Sequence, residues 1–226
     1  AGKYTYAQTM RRYADTFDVE TARRVYARLR ELGTAVSPTL YGSTTLANLD
    51  LDDHSHDAGL AYVGPGIRAT YDWRVQRAAQ ATPQQVADRH FVKDVTARTL
   101  PMLRDAGVVI LTGTDAGFLN SFNYPGFSLH DEMALYVKLG LTPREALMGS
   151  VVDGPRFLNQ GERYGAVAAG KSADLLVLEA NPLADISATR GVHDVVLRGR
   201  LIDAGELERM RGQIRARVAA RETAAR

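Results

Sequence analysis

Apolar positions along the chain fall into two spacings, three to four apart and consecutive, and Gly, Pro and capping residues divide them into elements. Asp18-Val-Glu-Thr opens a helix that runs to about Arg30 and stops at Gly33, and Thr34-Ala-Val-Ser-Pro-Thr-Leu40 reads as a short strand. Between Tyr41 and Thr82 the periodicity fades into a stretch rich in Asp, Gly, Pro and Tyr. It is far longer than an ordinary connection, which predicts a functional excursion. Thr82-Pro-Gln-Gln85 is a capping box with proline at the first helical position. Its helix is expected to run towards Leu103 with a break before Pro101. Val108 to Thr114 is a continuous β-branched, apolar run, the pattern of a strand buried on both faces of a parallel sheet. After a loop containing Asn123-Tyr-Pro-Gly126, Ser128-Leu-His-Asp131 is read as the cap of a helix carrying Leu129, Met133, Tyr136 and Val137 on one face. Thr142-Pro-Arg-Glu145 caps the next.

From about Tyr164 the texture changes. Gly165-Ala-Val, Ala173 to Glu179 and Val192 to Ile202 read as three strands joined by turns, behind a boundary near Asn159 to Arg163. The chain therefore divides into an α/β part over residues 1–160, a β module over 161–205 and a helical tail over 206–226.

Composition narrows the chemistry. At 226 residues, 45% hydrophobic and 24% charged, the chain is of globular type, which excludes a disordered tail, a coiled coil and a collagen-like rod. No apolar run approaches the roughly 20 residues of a membrane-spanning helix, and no signal-peptide core opens the sequence. A soluble protein, cytoplasmic by default, is expected, with any targeting signal lying upstream of Ala1. The absence of cysteine excludes disulfide scaffolds, thiolate metal sites and cysteine nucleophiles, so a metal would have to be held by His, Asp or Glu. The net charge of +2 is local: residues 206–226 carry six Arg against three acids, and the remainder holds 22 basic and 23 acidic groups. The tail lacks interleaved aromatics, so a solvated terminal helix is expected and no nucleic-acid or membrane partner.

Three constellations have the residue types of a site. Gly165-Ala-Val-Ala-Ala-Gly170-Lys171-Ser172 matches the phosphate-loop pattern GxxxxGK[ST], but the segment after it reads as a strand where a phosphate cradle needs a helix N-terminus. A turn with an exposed lysine is the expectation. His54-Ser-His56, among Asp52, Asp53 and Asp57, has metal-ligand residue types in a polar loop, and both histidines are expected to be exposed or to make local hydrogen bonds. His90 and His193 stand singly and read as ordinary packed or hydrogen-bonded residues. Asp115, in Gly113-Thr-Asp-Ala-Gly117, closes the apolar strand at the end where α/β folds gather their chemistry. The same carboxylate is equally suited to capping a turn.

Taken in order, Pro38-Thr-Leu40, Gly113 to Gly117, Leu129-His-Asp-Glu-Met133, Gly140 to Leu147, Tyr164 to Asp174 and Asn181-Pro-Leu183 resemble the C-terminal half of the metal-dependent amidohydrolase superfamily, nearest its imidazolonepropionase and prolidase-like members. The resemblance spans roughly Thr34 to Asp203. It implies the C-terminal part of a (β/α)8 barrel, with Thr34 to Leu40 as strand seven and Val108 to Thr114 as strand eight, followed by strands of a small β-sandwich. It further implies that Asp115 is both metal ligand and proton relay in hydrolysis of a C–N bond of a dipeptide-like or cyclic amide substrate by a divalent metal, zinc in the first instance. Tyr41, Phe118 and Tyr124 flank the strand ends and would line the substrate pocket, packing being the other role open to each. The strands that carry such enzymes' other ligands are not in this sequence, and His54-Ser-His56 lies beyond strand seven, so it does not correspond to the strand-one HxH pair. The chain is thus expected to need a missing N-terminal half or a complementing chain, or to associate with itself, and to be inactive alone. A non-catalytic structural module is the rival reading.

Overall fold

The structure is a computed structural model that describes residues 6–117 and 120–224. Helix α1 (Tyr6–Asp15) precedes α2 (Val19–Glu31), whose N-cap Asp18 accepts the Thr21 N–H at 2.7 Å. Gly33, at φ +66°, makes the left-handed turn that sends the chain into β1 (Ala35–Val36). That strand is shorter than the predicted Thr34–Leu40. Pro38 has no N–H to give a ladder, Thr39 turns into the left-handed region at φ 50°, and Leu40 already begins α3 (Leu40–Ala47).

The long excursion is mostly helical. After α3 come a 3₁₀ turn at Ala58–Tyr62 and α4 (Pro65–Ala79). Helix α5 (Pro83–Asp105) starts with the expected capping box, in which the Thr82 hydroxyl and Gln85 side chain satisfy each other's backbone N–H groups. The expected break before Pro101 does not occur: the helix runs on to Asp105, because buried Leu100 and Leu103 anchor it on both sides of the proline. Gly107, at φ +73°, then leads into β2 (Val109–Ile110).

Strands β1 and β2 pair in parallel, Ala35 with Val109 and Val36 with Ile110, and the Leu111 N–H extends the ladder to the Val36 carbonyl at 2.8 Å. The predicted burial of β2 on both faces is not seen: Val109 is 42% exposed, since β1 is its one strand partner among the described residues. The other side of the run is covered by α7 (Pro143–Val151), entered through a second capping box at Thr142 and Glu145. Thr112 donates its N–H to the Gly149 carbonyl and its hydroxyl to the Ala146 carbonyl, so helix and strand end touch backbone to backbone. A Cβ on Gly149 would stand 2.5 Å from the Ile110 carbonyl oxygen, which makes glycine obligatory there.

Between β2 and α7 lies α6 (Phe127–Lys138). Its N-cap is Gly126, not Ser128. Fully buried Ser128 instead forms a reciprocal pair with Tyr124, each backbone N–H meeting an oxygen of the other residue. One apolar cluster joins Leu40 of α3, Leu100 of α5, Met133 and Tyr136 of α6, Leu141, Ala146 and Ile186; a second joins Leu60, Val63, Tyr71, Phe122 and Tyr124.

After the short helix α8 (Asp153–Phe157), Gly165-Ala-Val forms a bend and not the expected strand. The predicted third strand is itself a hairpin. β3 (Leu175–Leu178), β4 (Val192–Leu197) and β5 (Arg200–Ile202) form an antiparallel sheet in that order, and Arg198-Gly199 turns the hairpin with both residues at positive φ. The phosphate-loop look-alike feeds β3, as expected. Its lysine, however, is half-buried and donates to the Gly161 carbonyl at 2.6 Å. The tail forms α9 (Ala204–Ala224), which holds the excursion down: Arg215 donates to the Tyr62 hydroxyl at 2.8 Å and Glu222 pairs with Arg68 at 2.9 Å. No helix among the described residues is long and apolar enough to cross a membrane. The architecture is α/β, helix-rich with two small sheets.

Candidate functional site

The parallel strands end at Val36 and Ile110, and the segments leaving them are drawn to one place. On the β1 side, Thr39 at N-cap makes no side-chain cap for α3. A carboxylate from another helix does so instead: Glu132 of α6, fully buried, accepts the Leu40 N–H at 2.8 Å and the Tyr41 N–H at 2.5 Å. An acid at a helix N-terminus satisfies orphan donors and meets the positive end of the dipole. Burial outweighs both contacts and raises the Glu132 carboxyl above its ordinary value.

On the β2 side, Asp115 comes after Thr114 at φ 53°, in the left-handed region that Asp tolerates better than most residues. Its side chain is exposed, and Asn120 reaches back to it, donating from one amide nitrogen to the Asp115 carbonyl and to Oδ2 at 3.0 Å. The Asn123 side chain donates to the Thr114 carbonyl, and Gly42 of α3 packs against both groups so closely that a Cβ would lie 2.8 Å from the Asn123 amide nitrogen. The first turn of α3 and the 120–124 loop therefore meet at the strand end. Fully buried Ser121 and Asn123 each keep a side-chain oxygen without a hydrogen-bond partner among the described residues.

Tyr124, predicted for the pocket wall, is brought to an acid that sequence reasoning did not single out for a role. Tyr124 is buried and donates its hydroxyl to Asp57 Oδ2 at 2.9 Å. Burial first, and then Asp57, push its phenol upwards. Half-buried Tyr41 is raised by burial and by the charges of Asp131 and Asp57. Phe118, the third predicted pocket residue, lies outside the described residues.

The same Asp57 oxygen meets His54 Nδ1 at 2.9 Å, and the imidazole stacks on Phe122 with centroids 4.4 Å apart and planes 14° from parallel. The expectation of local hydrogen bonding holds for His54, and the loop around it is exposed at Asp52, Asp53, Ser55 and His56, but the His54 side chain itself is only 14% exposed. His56 is exposed. His90 bonds Asp50, and His193 lies beside Asp194 at 3.0 Å, both as ordinary surface pairings. His130 Nδ1 donates to the Thr189 hydroxyl at 3.0 Å, whose own proton goes to the Ile186 carbonyl, and the imidazolium is disfavoured by burial and by Arg190.

Glu132 had a signal in the sequence. It shares the helical face of Leu129, Met133 and Tyr136, so a carboxylate stands in an apolar stripe and must find buried donors. Asp57 stands three residues from His54, within reach of the local bonding expected there, but its hold on Tyr124 had no signal, because the two are 67 residues apart along the chain.

Whether the site suits a metal can be judged from its donors. A carboxylate at a strand end is a fitting hard donor for a divalent ion, but Asp115 is a single one. No group of three or more His, Asp or Glu side chains able to hold a metal occurs among the described residues. The remaining ligands would have to come from elsewhere.

Comparison with known proteins places this geometry in context. The amidohydrolase family model matches residues 18–202. The imidazolonepropionase of Aeromonas hydrophila subsp. hydrophila is 31% identical over 190 residues, covering 80% of this chain and 44% of that protein. A putative prolidase from Bifidobacterium longum shares 27% identity at a TM-score of 0.53, over 75% of this chain and 35% of its own. A bottromycin amidohydrolase, 22% identical, aligns over 82% of this chain and 40% of its own with a TM-score of 0.67, a likeness of fold. The chain spans less than half the length of the curated relatives it matches over most of its own length.

Proposed function

The chain belongs to the amidohydrolase family, and from that premise we propose that it contributes one wall of the active site of a hydrolase that cleaves C–N bonds in amides, dipeptides or cyclic amides. The carrying observation is the position of Asp115: an exposed carboxylate beyond the end of β2, beside the first turn of α3 and the 120–124 loop, which meet where Gly42 packs on Asn123. In this reading β1 and β2 are the last two strands of a (β/α)8 barrel and β3–β5 are part of a small sandwich. The names of the imidazolonepropionase and prolidase relatives support the substrate class.

Asp115 would serve as one ligand of a divalent ion, zinc in the first instance, whose other ligands come from polypeptide outside this chain. Such an ion, when bound, lowers the pKa of water towards neutrality. The work of this chain's own residues is to place and to move a proton. Asn120 holds one carboxylate oxygen of Asp115 at 3.0 Å and thereby fixes the orientation of the other, which takes a proton and passes it to the leaving nitrogen. Tyr124, kept neutral by burial and by Asp57, and Tyr41, kept neutral by burial and by Asp131, present aromatic surface to the substrate.

The bond between Asp115 and Asn120 also suits a rival reading, a structural module in which that carboxylate merely ties down the loop. Asp115→Asn in the intact protein separates the two. Loss of turnover on an unchanged fold supports catalysis; an unchanged rate removes Asp115 from the mechanism.

A further inference from the structure

Two asparagines at the ends of one turn hold two successive backbone carbonyls of the segment beyond β2. The Asn123 side-chain amide donates to the Thr114 carbonyl. The Asn120 side-chain amide donates to the Asp115 carbonyl at 2.5 Å and to Asp115 Oδ2 at 3.0 Å. The turn that carries both is closed by the Asn123 N–H on the Asn120 carbonyl, and the Asn120 N–H ties it to the Gly117 carbonyl, each at 3.2 Å. Asp115 sits between these holds at φ 53°. A residue with a Cβ keeps that conformation only where its surroundings impose it, and here the two amides do so.

Asn123 serves that one bond. Its side chain is fully buried and its Oδ1 has no partner among the described residues, so a polar group is kept in the interior for a single donated N–H. Gly42 backs the amide from the other side: a Cβ there would lie 2.8 Å from Asn123 Nδ2 and 3.6 Å from the Thr114 carbonyl oxygen. The two residues before Gly42 are in turn fixed by Glu132, which accepts the Leu40 and Tyr41 N–H groups. The amide thus lies between an anchored helical turn and the carbonyl it bonds, with no room to swing away.

We propose that Asn123 is a positioning residue for Asp115: together with Asn120 it sets the backbone turn at residues 114–115 and so the direction of the carboxylate oxygen that Asn120 leaves free. The assignment rests on the hydrolase reading for what that oxygen meets, a divalent ion. A positioning residue and a merely structural one differ in what they do once Asp115 is replaced, and the difference is read by binding, apart from turnover. The probe is zinc alone, titrated against a competing chelator into the metal-stripped intact protein.

Asn123→Leu keeps the branched shape and removes the donor. It should weaken zinc binding about tenfold or more, and it should have no further effect in an Asp115→Asn background. Gly42→Ala displaces the same amide from the opposite side and should repeat the pattern, which keeps the test open if Asn123→Leu does not fold. Hydrogen exchange over residues 113–117 should quicken several-fold in both variants, with the rest of the chain unchanged. An equal loss of affinity with and without Asp115, or no loss in either variant while Asp115→Asn itself weakens zinc, would overturn the assignment, and so would unaltered exchange. If Asp115→Asn leaves zinc binding as it was, it is the hydrolase reading that fails, and the exchange rates alone decide on the clamp.

Discussion

The Glu132 carboxylate accepts the backbone N–H of Tyr41 at 2.5 Å, across 91 residues of sequence, and so joins α6 to the first turn of α3. With the Leu40 N–H on its other oxygen, this buried acid decides where the chain points as it leaves the β1 strand end. Glu132→Gln replaces one acceptor oxygen by an amide that must face an N–H. The expected loss is about 1–3 kcal/mol of unfolding free energy in denaturant titrations. A change within experimental error would show that the cap is not structural.

Glu132 should also leave a signature in pH. Burial raises its folded-state pKa above the ordinary 4.5, so in the window from 4.5 up to that raised value the folded chain binds more protons than the unfolded one. The contribution of this group is then fully present below 4.5 and is lost as the pH rises through the folded value. Unfolding free energies measured across the acid range should lose this falling component in Glu132→Gln, which cannot titrate. An identical pH profile in the variant would contradict the assignment.

Gly149 stands where α7 touches the end of β2, and a methyl group there meets the Ile110 carbonyl at 2.5 Å and the Thr112 hydroxyl at 2.8 Å. Gly149→Ala should therefore cost roughly 1–3 kcal/mol by overpacking. Gly66 in α4 has nothing within 4 Å of its would-be Cβ, and Gly66→Ala should stabilise by about 0.4–1 kcal/mol through helix propensity and reduced unfolded-state freedom. Thermal melts of the pair give opposite signs if the packing is as described.

At φ 53°, position 115 accepts Asn almost as readily as Asp and disfavours β-branched residues. Asp115→Asn should melt near the wild-type temperature while turnover of an amide substrate by the intact protein falls on the order of a hundredfold or more. Asp115→Val should lose stability as well, by about 1–2 kcal/mol. If Asp115→Val proves as stable as Asp115→Asn, the left-handed turn is not retained.

The chain taken alone should self-associate. Phe157, Leu158, Val167, Leu176, Leu197 and Leu201 are each more than half exposed, and β2 carries Val109 at 42% exposure. Sedimentation velocity at micromolar concentration is expected to show oligomers. A sharp monomer boundary would count against the need for a complementing surface.

Local order was legible in the residues themselves. The capping boxes at Thr82 and Thr142, the Asp18 cap and the glycine stop at Gly33 all arise from interactions within a few residues. The order of motifs also carried the family. What tertiary structure alone decided is where long-range partners override local preference. Leu100 and Leu103 carried α5 past Pro101, and the fully buried Ser128 became a partner of Tyr124 while Gly126 took the cap. Asp57 became the point at which His54 and Tyr124 meet, 67 residues away in sequence for the tyrosine. A hydrogen bond or a packed ring depends on distance in space, and spacing along the chain encodes that distance only while the chain stays within one element.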